Sequence, residues 1–137
     1  MEFSIKSTSP DKQRGACTIV GVFENGVLTP AAAALDRVCA NALQTLVGRG
    51  DFDGRGGTSL MLHQVPASPC ERILLIGLGK EKEFREKDYA NAIRTAMKAL
   101  KESGADEACL TLTTLPVRKR GTAWKIRQAA LIARESS

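Results

Sequence analysis

The sequence predicts an α/β domain of three layers, with helices on both faces of a mixed, mostly parallel sheet. Three observations predict it. Residues 16–23 form a nearly continuous apolar, β-branched run, Ala-Cys-Thr-Ile-Val-Gly-Val-Phe, as a strand covered on both faces would. Strand-like runs alternate along the chain with helical faces, the order that builds layered α/β domains. Two pairs of strand-like runs follow one another with no helix between them, so the sheet cannot be wholly parallel.

The elements follow in order. Phe3 and Ile5 alternate with Glu2, Ser4 and Lys6, the period of a half-exposed strand. After strand 16–23, Glu24-Asn25-Gly26 is turn chemistry. Thr29-Pro30 opens a helix, with Thr29 as N-cap and Pro30 at the first position, where its missing N–H costs nothing. Leu35, Val38, Cys39, Ala42, Leu43, Leu46 and Val47 then keep one helical face, and Gly48 stops it. Five glycines in residues 48–57 predict an exposed loop. Strands are expected at about 59–65 and 71–77, joined through Pro66 and Pro69. A helix with Tyr89, Ile93, Ala96, Met97 and Leu100 on its buried face ends at Ser103-Gly104. Ala108, Leu110 and Leu112 predict a strand with one face less buried, and Ala123, Ile126, Ala130 and Ala133 predict the buried side of a last helix, 122–134.

The chain of 137 residues is the length of one domain. Ordinary apolar and charged fractions, 43% and 26%, exclude a disordered or low-complexity chain. The longest apolar run, Ile73 to Gly79, is strand-sized and far short of the roughly 20 residues of a membrane span. The start carries no signal-peptide pattern, so a soluble cytosolic protein with no membrane partner is expected. Cys17, Cys39, Cys70 and Cys109 include no C-x-x-C and read as reduced structural thiols.

Chemistry-bearing motifs are few. The single histidine, His63, lies in a strand pattern, without a nucleophile elbow or a metal-ligand spacing around it. Gly77-Leu78-Gly79-Lys80 follows an apolar strand and precedes a helix, the setting in which backbone amides cradle a phosphate. Gly77, Gly79 and Lys80 are therefore candidate ligand-turn residues, although Glu81 and Lys82 break both phosphate-loop fingerprints. Charge is uneven. Residues 1–115 are neutral in sum, whereas residues 116–137 hold six basic residues against Glu135. Arg118, Lys119, Arg120, Lys125 and Arg127 are candidate phosphate or DNA contacts.

Several segments taken together carry a resemblance: Met1 to Lys6, Gly21-Val22-Phe23 to Leu28-Thr29-Pro30, Leu62-His63-Gln64-Val65-Pro66, Glu71 through Ile76-Gly77-Leu78-Gly79-Lys80, and Trp124-Lys125-Ile126-Arg127-Gln128-Ala129. In that order they resemble the N-terminal domain of bacterial leucyl (cytosol) aminopeptidases, along essentially the whole chain. The resemblance implies a macro-domain-like fold. It also implies a parent that removes N-terminal amino acids from peptides as a cytoplasmic homohexamer with two divalent metals, manganese or zinc. The family's metal ligands and catalytic residues belong to a C-terminal domain, so no catalytic or metal residue carries over to residues 1–137. This chain is then expected to be one accessory domain, inactive and metal-free by itself, that serves oligomer assembly and active-site access. Its expected partners are the catalytic domain and the hexamer. An ADP-ribose-type ligand module, or a DNA contact as in some bacterial members, is the alternative that the resemblance brings.

Overall fold

The computed structural model describes residues 4–5, 15–104, 108–117 and 120–136. Six strands form one sheet: β1 (Ser4–Ile5), β2 (Gly15–Phe23), β3 (Val27–Leu28), β4 (Ser59–His63), β5 (Cys70–Gly77) and β6 (Cys109–Leu110). Their order is β1-β6-β2-β5-β4, with β3 folded back on the end of β2. The β1–β6, β6–β2 and β2–β5 pairs are parallel, while β4–β5 and β2–β3 are antiparallel. The sheet is mixed and mostly parallel, as expected. Among the described residues four α-helices pack on this sheet: α1 (Pro30–Val38), α2 (Ala42–Gly48), α3 (Glu86–Ser103) and α4 (Thr122–Ser136).

The two-residue period of the central strands sorts their side chains between two cores. Cys17, Ile19 and Phe23 of β2 join Leu74 and Ile76 of β5 beneath α3 and α4, against Tyr89, Ile93, Ala96, Leu100, Ala129 and Ile132. Val20 and Val22 join Ile73 and Leu75 on the opposite face, against Ala32 and Leu35 of α1 and Leu43 of α2. Central strands buried on both faces thus account for the unbroken apolar runs.

Thr29 caps α1 as its sequence predicts: its hydroxyl accepts the Ala32 N–H at 3.2 Å and donates to the Gly21 carbonyl at 3.0 Å. The single helix expected from Pro30 to Val47 is two helices. Ala40 and Asn41 turn into the left-handed region (φ 55° and 61°), and the buried Asp36 carboxylate accepts the Leu43 and Gln44 amides at 2.7 and 3.2 Å. An internal carboxylate thereby satisfies two of the orphan donors of α2 and makes the break tolerable.

Three other expectations are corrected. The strand around Leu110 is two residues long and passes into a 3-10 turn at Leu112–Thr114. Neither of its faces is exposed, because the Thr111 hydroxyl donates to the Ile19 carbonyl at 2.6 Å and can be buried without loss. The loop 48–57 is not wholly exposed, since Phe52 is buried in the α1–α2 core. The last helix buries Lys125, Ala129, Ile132 and Ala133, while Ala123, Ile126 and Ala130 face outward. The four cysteines form no disulfide and are all buried. Burial pushes the Cys17 thiol up to about 12 and raises that of Cys39, so both behave as small hydrophobes.

Candidate functional site

Ligands of open α/β sheets bind beyond the carboxyl ends of the parallel strands. Here the carboxyl ends of β2 and β5 lie side by side, with Val22 in register with Gly77, and the turn Gly77-Leu78-Gly79-Lys80 starts there. Its amides are already committed. Gly77 N–H donates to Thr58 at 2.8 Å, Leu78 N–H to Val22 at 2.9 Å and Gly79 N–H to Gly54 at 2.9 Å, in each case to a backbone carbonyl. The Gly79 carbonyl in turn accepts the Glu24 amide at 2.9 Å. Residues 54–58 therefore occupy the crevice from within. A Cβ on Gly77 would run into the Arg55 carbonyl and the Thr58 hydroxyl, and one on Gly54 into the Phe23 carbonyl. The glycines serve close backbone approach, and three amides that could cradle a phosphate are spent on the chain itself. Lys80 is exposed and pairs with Glu83 at 3.7 Å. Beside the turn, Glu24, Val27 and residues 80–83 line an open groove of about 720 Å³. The plug formed by residues 54–58 is what sequence reading missed. Its only signal is the glycine density, which also suits an exposed loop.

The basic segment divides as well. Arg118 and Lys119 lie outside the described residues. Arg120 is exposed, ion-paired with Glu86 at 2.6 Å, and lies 5.0 Å over the Trp124 ring. Lys125 is 7% exposed, and its Nζ donates to the Leu115 carbonyl at 2.7 Å. That carbonyl ends the 3-10 turn, so the ammonium caps an element terminus and is turned away from any phosphate. The Tyr89 hydroxyl donates to the Lys125 carbonyl at 2.7 Å, fixing α4 on α3. Arg127 is exposed on the outer side of α4.

Among the described residues no group of three or more His, Cys, Asp or Glu is placed to hold a metal ion. His63 is exposed at the end of β4, opposite Arg72. The described residues do not fit a two-metal centre. No described helix is long and apolar enough to cross a membrane.

The mixed sheet between two helical layers defines the class, which is the macrodomain fold. The macrodomain of Thermus aquaticus DarG superposes with a TM-score of 0.74 over 97% of this chain and 91% of that one, at 11% identity, a likeness of fold alone. A mutant of tomato leucine aminopeptidase superposes at 0.70 over the whole of this chain and 28% of that one, at 24% identity. The model of the cytosol aminopeptidase family, N-terminal domain, matches residues 19–137, and the chain belongs to that family. It is 56% identical over all 137 residues to the "Probable cytosol aminopeptidase" of Dechloromonas aromatica and 48% identical over 136 residues to that of Nitrosospira multiformis. It spans 28% and 26% of the length of those relatives.

Proposed function

We propose that this chain is the non-catalytic N-terminal domain of a metal-dependent leucyl aminopeptidase, which removes N-terminal residues from peptides in the cytoplasm. One observation carries the reading: identity of 56% runs through the whole chain, yet covers little more than a quarter of the relative. The two divalent metals, zinc or manganese, are assigned to the remaining polypeptide, and this domain to homohexamer assembly and control of access to the catalytic sites. With three turn amides committed to backbone carbonyls, an ADP-ribose-type role at Gly77 and Gly79 is not favoured. A DNA contact is a smaller, separate proposal, supported by the exposure of Arg120 and Arg127 and no longer by Lys125. The test is turnover of a leucyl chromogenic substrate with added manganese. The 137-residue chain is expected to stay at the blank rate while the full-length polypeptide turns over. Comparable turnover by the two would refute the assignment.

A further inference from the structure

Four large aliphatic side chains are well exposed among the described residues: Val27, Val38, Ile126 and Leu131. Val27 and Val38 stand singly on different elements, which is ordinary for a protein surface. Ile126 and Leu131 share α4. At about 100° per residue, the outer surface of α4 reads Ile126, Ala130, Ala123, Arg134, Arg127 and Leu131 in order around the helix, and all six are exposed. Two alanines two turns apart leave a low strip along the helix beside Ile126, and Arg134 and Arg127 stand between that strip and Leu131. The inner surface, through Ala129, Ile132 and Ala133, already lies in the core beneath the sheet. The outer surface thus mixes aliphatic side chains with two arginines, the composition of a surface that meets a partner rather than a core.

We infer that the outer face of α4 is a docking surface for the polypeptide that follows this domain in the full-length relatives. The inference rests on the function proposed above. The chain matches 26–28% of the relatives' length as their N-terminal domain, so the greater part of each relative is tethered behind the segment that contains α4. A tethered segment reaches millimolar effective concentration and needs little contact area to stay bound. The matching surface is apolar at its borders, with carboxylates opposite Arg127 and Arg134. Duplex DNA fits the face less well, since phosphates give Ile126, Leu131 and the alanines nothing to pack against.

Labelling rates test this. The native thiols of residues 1–137 are buried, so Ile126→Cys and Leu131→Cys each introduce the one exposed thiol of this domain, and modification is read at that residue by peptide mapping against the unsubstituted protein. Maleimide labelling is expected to be about tenfold slower in the full-length polypeptide than in the 137-residue chain, at every protein concentration. Equal rates would overturn the proposal. Slowing that vanishes on dilution would assign the face to a second copy, and slowing seen only with added duplex DNA would assign it to nucleic acid; either overturns the occupant. Hydrogen exchange of α4 in the two unsubstituted proteins, with the same tenfold expectation, keeps the test intact if a cysteine variant misfolds. Leucyl substrate turnover separates the two claims: an active full-length enzyme with equal labelling rates removes the docking surface alone, and an inactive one with a protected face removes the aminopeptidase reading alone.

Discussion

The turn after β5 and the helix α4 both look like anion-binding elements in the sequence, and they resolve in opposite ways. The turn is closed. Its amides bond to the backbone of β2 and of residues 54–58, and Gly77 admits that backbone at a distance no side chain would allow. Helix α4 exposes its outer side and buries its inner one, where Lys125 caps a carbonyl and Tyr89 holds the helix to α3. A glycine-rich turn after a strand binds phosphate only while its donors remain unspent. A run of basic residues attracts phosphate only through those that the fold leaves outside.

The largest effect is expected where the turn is most crowded. Gly77→Ala pushes a methyl into the Arg55 carbonyl and the Thr58 hydroxyl, and the strand cannot retreat without giving up the Gly77–Thr58 bond of 2.8 Å. The expected loss is about 4 kcal/mol or more, at the extreme of single substitutions. Gly48→Ala is the control, since a methyl there meets nothing within 4 Å. Denaturant unfolding reads both. A Gly77→Ala midpoint at the wild-type value would mean that the crevice is not packed from within, and the turn would return as a ligand site.

A smaller loss is expected from α4. Lys125→Ala strands the Leu115 carbonyl and removes the buried lysine stem, at about 2–3 kcal/mol. Lys125→Met keeps the stem and loses only the donor, at about 1 kcal/mol. That ordering in thermal or denaturant unfolding marks an inward lysine. Costs below about 0.5 kcal/mol for both variants would put Lys125 on the surface and restore it to the basic patch.

What could be read from the sequence follows the range of the interaction. Thr29-Pro30, the β2 run and the Gly104 stop act within a few residues, and each stands where expected. Asp36 acts across seven residues on a helix it does not belong to, so a periodicity that runs through it cannot register the break at Ala40 and Asn41. Residues 54–58 and Lys125 are set by strands and turns distant in the chain. Lys125 reads as a surface charge from its type, and only the position of Leu115 makes it internal. The outward face of α4 misled for a related reason. Its alanines and Ile126 are as apolar as the true inner face, and periodicity alone cannot choose between two apolar sides of one helix.

The smallest effect tests the exposed member of the same basic run. Arg120, two residues before α4, pairs with Glu86 at the start of α3 at 2.6 Å and lies over Trp124, which packs at 5.7 Å from the Tyr89 ring. Both charged side chains are close to half exposed, 42% and 49%, so water and salt screen the pair. Arg120→Ala is expected to cost about 0.5–1 kcal/mol, the ion pair and the cation–ring contact together. A double-mutant cycle with Glu86→Ala separates them: the coupling should be about 0.5 kcal/mol at low salt and fall as salt is raised to 1 M. The part of the Arg120→Ala loss that salt leaves intact belongs to Trp124, the only tryptophan in the chain, and its emission should shift in Arg120→Ala but not in Glu86→Ala. A coupling above about 2 kcal/mol, or one indifferent to salt, would show the pair to be shielded from water, and the contrast between a buried Lys125 and an open Arg120 would fail.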